Sequence, residues 1–348
     1  MQAVVLVGGA GTRLRPLTLT QPKPALALVD RPLIRYMVDW LGRHGISEVV
    51  MACGFKAESL RSALGDAVPD GPAISYIEED QPLGTAGPVR LAADQGLLGD
   101  RFMVLNGDVL TDLDLTALQR QHEQTGAVIT LALHPVDDPT SYGLVRRDQD
   151  GTVLGFLEKP DPAEIDTDEV SAGAYVVERQ VLDLIPPGRA VSIEREVFPR
   201  LVGQGLYGRR LEGYWMDIGT PERYLQASWD ILEGTVETEL PGNGGPFIGE
   251  AVEIAAGATV EPRAVVRSGS RIESGALVSE SVLLDGCLIG ADSEVRGAIL
   301  AAAVEIGAGA TIGAGSVIGE GARVEAGVMV EPESRVQPDE VVESEVPA

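Results

Sequence analysis

The sequence predicts an open α/β sheet with helices on both faces, joined to a parallel β-helix built from six-residue repeats. Three observations carry that expectation. Strand-like and helix-like segments alternate over the first 235 residues, an aliphatic residue then recurs at every sixth position, and Phe247 is the only aromatic after residue 236.

The first strand is the apolar run 3–7. Residues 32–44 follow as a helix, because Leu33, Ile34, Met37, Val38 and Leu41 recur at helical spacing and Gly45 supplies the stop. Runs 48–53, 74–78, 102–105 and 128–133 read as further strands, with helices over 57–64, 85–97 and 115–124 between them. Alternation of this kind builds a mostly parallel sheet covered on both faces. Such sheets hold their ligands at the carboxyl ends of the strands, so the loop after each strand matters most.

In the second part the aliphatic positions are Ile248, Ile254, Val260, Val266, Ile272, Val278 and Leu284. The period slips between residues 285 and 303, then resumes at Ile306, Ile312, Ile318, Val324, Val330 and Val336. Small residues at the corners of such a period are the mark of a parallel β-helix, and three hexads per coil give about five coils. An α-helix is excluded by glycine content, since each interior Gly costs about 1 kcal/mol relative to Ala. Pro241-Gly242-Asn243-Gly244-Gly245-Pro246 reads as a linker. The expected organisation is a catalytic domain over 1–235, a linker over 236–247, a β-helix over 248–340 and a tail over 341–348.

Composition narrows the function. The 348 residues include 27 basic and 53 acidic side chains, a formal charge of −26. Nucleic-acid binding needs a basic footprint, and so does attachment to an anionic membrane surface. No run of 18 apolar residues occurs, so no membrane partner is expected and the cytoplasm is the expected compartment. Cys53 and Cys287 lie far apart without paired spacing, which argues against a disulfide framework or a zinc site. Only three lysines, Lys23, Lys56 and Lys159, stand among 24 arginines. A lysine kept in so arginine-rich a chain suits a place that needs a compact point charge.

The loop after the first strand is Gly8-Gly9-Ala10-Gly11-Thr12-Arg13-Leu14-Arg15-Pro16-Leu17-Thr18, followed by Pro22-Lys23-Pro24. Glycines let backbone N–H groups approach and cradle phosphates, and Arg and Lys neutralise their charge. Leu14 stands where a dinucleotide fingerprint needs its third Gly, and no Gly-Lys-Ser/Thr closes a Walker loop. The whole pattern resembles the signature of the sugar-nucleotide pyrophosphorylases, the nucleotidyltransferases that join a nucleoside triphosphate to a sugar-1-phosphate. The resemblance continues in order through Gln81-Pro82-Leu83-Gly84-Thr85-Ala86-Gly87, Asn106-Gly107-Asp108, Tyr142-Gly143, Phe156-Leu157-Glu158-Lys159-Pro160, Ser171-Ala172-Gly173 and Trp215-Met216-Asp217-Ile218-Gly219-Thr220. It covers the first 235 residues, and the hexad tail is common in the family's mannose-1-phosphate guanylyltransferase branch.

The resemblance implies a Rossmann-like open mixed sheet, a left-handed β-helix, and a site made as follows. Arg13 and Lys23 are catalytic. Gly8, Gly9, Gly11, Thr12, Gln81, Gly84 and Thr85 bind the nucleotide. Gly143, Glu158, Lys159 and Ser171 hold the sugar phosphate, and Asp108 and Asp217 hold Mg²⁺. Ser171 departs from the family's usual Asn. Alternatives stay open for single residues: an Asp after a strand is also a common turn former, and Arg15 could contact phosphate or a carboxylate. Lys56 matches no catalytic position, and His44, His122 and His134 suit structural roles. The substrates implied are a nucleoside triphosphate and a sugar-1-phosphate. Thymidylyl- or uridylyltransfer to glucose-1-phosphate and a non-catalytic nucleotide-sugar sensor are the other readings. Acyl transfer by the tail would need a general base, usually His, and no His lies beyond residue 134. The tail is expected to serve homo-oligomer contacts.

Overall fold

A computed structural model describes residues 1–344 apart from Phe55, Lys56, Asp66, Asp70, Lys159 and Pro160. In chain order its first elements are β1 (Gln2–Leu6), α1 (Leu17–Thr20), α2 (Leu33–Arg43), β2 (Glu48–Cys53), α3 (Ala57–Leu64), β3 (Ala73–Glu78), α4 (Gly87–Asp94) and β4 (Arg101–Asn106). There follow β5 (Val109–Thr111), α5 (Leu115–Thr125), β6 (Ile129–Pro135), β7 (Gly143–Arg147), β8 (Val153–Glu158), β9 (Glu169–Glu178), α6 (Phe198–Leu201), β10 (Leu206–Arg210), β11 (Trp215–Asp217) and α7 (Pro221–Glu233). The chain forms two compact units, Met1–Gly9 with Met37–Trp215, and Ala10–Tyr36 with Met216–Ala348.

The first unit contains a nine-stranded sheet whose main path runs β10-β6-β9-β4-β1-β2-β3. β3, β2, β1 and β4 are parallel neighbours, with Leu6 opposite both Ala52 and Asn106. β9 breaks the parallel run by lying antiparallel between β4 and β6, and the β7–β8 hairpin joins it at Val170. The sheet is therefore mixed. Its central strands β2, β1, β4, β9 and β6 are buried nearly end to end, as expected for strands covered on both faces: Val4, Phe102, Val104, Ile129, Leu131 and Tyr175 belong to one apolar core. α5 shows the local rules clearly. Asp114 accepts from the Ala117 N–H to cap its start, and Gly126 closes it with φ 61°. The expected helix over 85–97 starts later, at Gly87, because the preceding turn is bonded elsewhere.

The second unit carries the β-helix. Its strands stack as three parallel sheets of six, six and five strands, two or three residues each. Inward side chains such as Val266, Ile272, Val278, Leu283, Ile289, Val295 and Leu300 fill its core. The slip in the sequence period is resolved here. Coils advance by eighteen residues from Phe247 to Val265, then by seventeen from Val265 to Val282 and from Val282 to Ile299. The shortened corners place Leu283 opposite Val266, so Leu283 takes the inward position assigned by period to Leu284.

α7 docks in the same unit. Thr220 caps its start by accepting from the Arg223 N–H, and Tyr224 donates its hydroxyl to the Ala27 carbonyl. Arg267 of the β-helix donates to the Val29 carbonyl at 2.8 Å, and Arg263 pairs with Glu233 at 2.6 Å. The glycine-rich linker is held rather than loose, since Asn243 and Gly244 N–H groups both donate to the Leu232 carbonyl. Cys53 and Cys287 are buried free thiols, each pushed up to about 12 chiefly by burial. Among the described residues no helix is long and apolar enough to cross a membrane.

Candidate active site

Parallel pairing aligns the carboxyl ends of β3, β2, β1 and β4, so the loops after them start on one edge of the sheet. Gly8 leaves β1 there, and a side chain on it would stand 3.4 Å from Glu79 Oε1 and from the Gly54 nitrogen. Gly107 follows β4 and donates its N–H to the Leu6 carbonyl at 2.9 Å. A Cβ on Gly107 would lie 2.8 Å from that same oxygen, so only glycine lets the chain turn to present Asp108. Gly8, Gly9, the Gln81 turn and Asp108 are thus brought to one edge.

The Gln81–Gly87 turn is pinned from below. Leu83 donates its N–H to Glu79 Oε2 at 2.7 Å, and the Glu79 carboxyl sits above its ordinary value because of burial, which that bond partly offsets. Ala86 N–H donates to the Val191 carbonyl, and Val191 N–H donates to the Leu83 carbonyl, both at 2.9 Å. Gly84 has φ 72° and a Cβ there would stand 2.5 Å from the Val191 oxygen. The Thr85 hydroxyl donates to Glu194 Oε2 at 2.7 Å and accepts from the Ile193 N–H at 2.8 Å. Glu194 also accepts from Ser192 Oγ at 2.8 Å. It lies in the π-helical turn Ile193–Val197, a rare geometry that is frequent at functional sites. Gln81 remains exposed at the tip of the turn.

The third cluster surrounds β9. Gly143 pairs with Glu158, Leu144 with Val170, and Ser171 with Leu133, which places the three segments that the resemblance assigns to the sugar on neighbouring strands. Gly173 has φ 71°, and a Cβ on it would stand 2.7 Å from Asn106 Nδ2, so β9 rests on the loop that carries Asp108. Ser171 Oγ donates to Tyr175 Oη at 3.4 Å. Burial, with help from the charges of Glu194 and Asp108, raises the Tyr175 phenol beyond its usual range. Trp215 donates its indole N–H to the Ala172 carbonyl at 2.9 Å and packs edge-on against Tyr142 at 5.6 Å. His134 lies 5.8 Å from the same indole, and its Nδ1 is buried without a hydrogen-bond partner among the described residues. Lys159, Lys56 and the Glu158 side chain lie outside the described residues.

The remaining assigned residues belong to the second unit. Gly11 turns with φ 56°, and its carbonyl accepts from Thr18 Oγ1 at 2.8 Å and from the Leu14 N–H at 3.0 Å. Buried Leu14 and Leu17 anchor the loop, which leaves Thr12, Arg13 and Arg15 exposed. A Cβ on Gly11 would stand 3.4 Å from Lys23 Cβ. At Gly219 a Cβ would lie 2.7 Å from Arg13 Nη2 and 2.9 Å from Asp217 Oδ1. Arg13 and Asp217 therefore meet over a glycine whose lack of side chain makes the room.

Sequence reasoning missed Glu79, Glu194 and Tyr175. Glu194 is 109 residues from Thr85. Its only local signal is Ser192, which caps the turn that holds it.

These features define a class. A profile of the family described as nucleotidyl transferase matches residues 2–234, and one described as the GMPPB C-terminal domain matches residues 243–348. The chain belongs to the nucleotidyl transferase family. Within it, the chain is 40% identical over 293 residues to the mannose-1-phosphate guanylyltransferase of Mycobacterium tuberculosis, spanning 83% of this chain and 79% of that protein. It is 36% identical over 301 residues to mannose-1-phosphate guanylyltransferase 1 of Arabidopsis thaliana, spanning 83% and 82%. The crystal structure of HddC from Yersinia pseudotuberculosis superimposes with a TM-score of 0.57 at 27% identity, covering 65% of this chain and 97% of that one.

Proposed function

We propose that the chain transfers a guanylyl group from GTP to mannose-1-phosphate, giving GDP-mannose and pyrophosphate. The observation that carries this reading is the common edge formed by Gly8, the Gln81 turn and Asp108, which is where an α/β sheet takes its ligands. The names of the relatives supply the base and the sugar. An oxygen of the sugar phosphate attacks the α-phosphorus of GTP, a new P–O bond forms, and the bond to the β-phosphate breaks in line as pyrophosphate leaves. Catalysis of such a step is mostly positioning and charge neutralisation.

The backbone N–H groups of Gly8, Gly9, Gly11 and Thr12 line the triphosphate, with Arg13 gripping its oxygens as a planar fork and Lys23 acting as a point charge near the α-phosphate. Gln81 offers a paired donor and acceptor to the guanine edge, and Gly84 and Thr85 fix the turn that carries it. Gly143, Glu158, Lys159 and Ser171 hold the mannose phosphate. Asp108 and Asp217 are the carboxylates assigned to Mg²⁺. Among the described residues no group of three or more His, Cys, Asp or Glu side chains could hold an ion by itself. That donor set suits Mg²⁺, which binds through one or two carboxylates and takes its other ligands from substrate phosphates and water. When bound, the ion supplies neutralisation of the phosphate charge. The β-helix is assigned to association between copies of the chain.

A pyrophosphate-release panel tests the reading, with each common nucleoside triphosphate offered against mannose-, glucose- and galactose-1-phosphate. GTP with mannose-1-phosphate should give the highest kcat/KM. Release from no pair would overturn the reaction, and preference for dTTP or UTP with glucose-1-phosphate would overturn the base and the sugar.

A further inference from the structure

We infer that a depression between α5, the turn of the β7–β8 hairpin and β10 binds a small hydroxylated molecule that carries an oxyanion, either a phosphate or a carboxylate. The depression lies within the first unit and has a volume of about 380 Å³, the size of a small-ligand pocket. None of the residues lining it has a part in the proposed reaction. The chain as a whole carries −26, yet the charged side chains of the lining are Arg147, Arg209, Arg210 and one carboxylate, Asp150. Arg147 forks onto Glu169 through two bonds of 2.7 Å, and Arg210 pairs with Asp168 at 3.3 Å and with Glu212 at 3.2 Å. These three carboxylates are not part of the lining, so they balance the two arginines from outside it.

Arg209 is the anchor. Its Nη1 donates to Gln121 Oε1 at 3.1 Å, a neutral partner, and its buried Nε donates to nothing among the described residues. Among those residues it has no carboxylate partner either. A guanidinium half out of water without a counter-ion is costly, and an anion bound beside it offsets that cost. Its planar fork matches phosphate and carboxylate oxygens alike. The surrounding backbone holds Arg209 in place. Gln121 is fixed in turn, since its Nε2 donates to the Gly208 carbonyl at 3.4 Å. The Gly208 N–H donates to the Gly151 carbonyl at 2.7 Å and so docks the hairpin turn on β10. Gly151 has φ 89°, and a Cβ there would stand 2.9 Å from Gln121 Nε2, displacing the amide that holds Arg209.

The rim supplies the rest of the chemistry. Gln124 and Gln149 are exposed, line the depression, and make no side-chain hydrogen bond among the described residues. Each amide can donate to one hydroxyl and accept from another. No aromatic or large aliphatic side chain belongs to the lining, so nothing there stacks on a nucleobase or buries a lipid chain. That set of groups fits a hydroxylated acid or the phosphate ester of a polyol. A molecule seated there touches α5, the hairpin turn and β10 at once.

Isothermal titration of the full chain with inorganic phosphate, and separately with malonate, tests the inference. A probe that binds here should lose about tenfold or more in affinity in Arg209→Gln, the effect of removing a charged hydrogen-bond partner. Arg13→Gln alters the glycine loop instead and should leave that binding in place, which tells it apart from phosphate held at the proposed catalytic site. Gln149→Glu sets a carboxylate on the exposed rim and should weaken both probes while the ligand-free unfolding midpoint stays unchanged. If Arg209→Gln lowers that midpoint, Gln149→Glu decides the matter. Binding of phosphate alone assigns a phosphate ester as the ligand, and binding of malonate alone assigns a carboxylic acid. Three results would overturn the inference: no binding of either probe at millimolar concentration, an affinity that Arg209→Gln leaves unchanged, or a deciding Gln149→Glu chain that binds as before.

Discussion

Replacing Thr85 by Val removes one hydroxyl and keeps the branched shape of the side chain. That hydroxyl donates to the Glu194 carboxylate at 2.7 Å and accepts from the Ile193 N–H at 2.8 Å. A bond to a charged acceptor contributes about 1.5–3 kcal/mol, and an N–H left without its acceptor costs about 1–3 kcal/mol. Both effects pass through one atom, so they do not add fully. The site is half-buried and water can replace part of the loss, leaving a net destabilisation of about 2 kcal/mol. For a unit of this size that corresponds to a fall in Tm of about 4–8 °C. Chemical denaturation gives the first number and calorimetry the second. Thr85→Ser keeps the hydroxyl and should recover most of the loss. Since the proposed reaction uses this turn to hold the base, Thr85→Val should also raise KM for GTP more than it lowers kcat. A Thr85→Val chain within about 0.5 kcal/mol of the unaltered one, with an unchanged KM, would refute the idea that Glu194 positions the turn.

Gly173→Ala should destabilise by more than the roughly 1–2 kcal/mol of a left-handed backbone, because its Cβ also meets Asn106 at 2.7 Å; a denaturation midpoint near that of the unaltered chain would count against the close packing of β9 on the Asp108 loop. Asp108→Asn and Asp217→Asn should each abolish Mg²⁺-dependent pyrophosphate release while circular dichroism stays native, and a variant that keeps full turnover would release that residue from the metal assignment. Leu300, fully buried in the β-helix, should cost about 2–5 kcal/mol when cut to Ala, read as a lower unfolding midpoint. His122 is held below its ordinary value of 6.5 by burial, against the opposing bond to Glu178, so the unfolded chain binds its proton more readily. Stability from this group is present above that ordinary value and is lost as pH falls from there through the lower value of the folded chain; a His122→Gln chain should show a shallower loss from neutral into mildly acidic pH, and an identical slope would contradict the assignment.

Much of the architecture was legible because it depends on local period. Alternating strand-like and helix-like runs placed the sheet, and the spacing of Leu33, Ile34, Met37 and Leu41 gave α2 to within a residue at each end. The hexad period likewise gave the β-helix, but not the shortened corners that put Leu283 rather than Leu284 inside, because one residue of corner geometry has no signature in an aliphatic count. The resemblance implied a mixed sheet, but the alternation did not mark β9 as the antiparallel strand, since strand direction depends on pairing between distant segments. At the site, glycines and charged residues announced themselves by motif. Glu79 and Glu194 did not, because their task is to hold the turn at Leu83 and Thr85 and a lone Glu looks like any solvated one.

Net charge also takes on a more specific meaning. Residues 1–235 carry 34 acidic and 21 basic side chains, and residues 236–348 carry 19 and 6, so each part holds −13. Polyanionic substrates gain nothing from that overall field. In the proposed reaction their attraction is assigned to short-range groups, the glycine-loop amides, Arg13 and Lys23.

The central claim is attack by the sugar phosphate on the α-phosphorus of GTP, and the fate of a label tests it most directly. With mannose-1-phosphate and GTP labelled at the α-phosphorus, all transferred label should appear in GDP-mannose and none in pyrophosphate. With GTP labelled at the γ-phosphorus, the label should leave wholly as pyrophosphate. Label from the γ-position in the sugar product, or no labelled nucleotide sugar at all, would contradict the account.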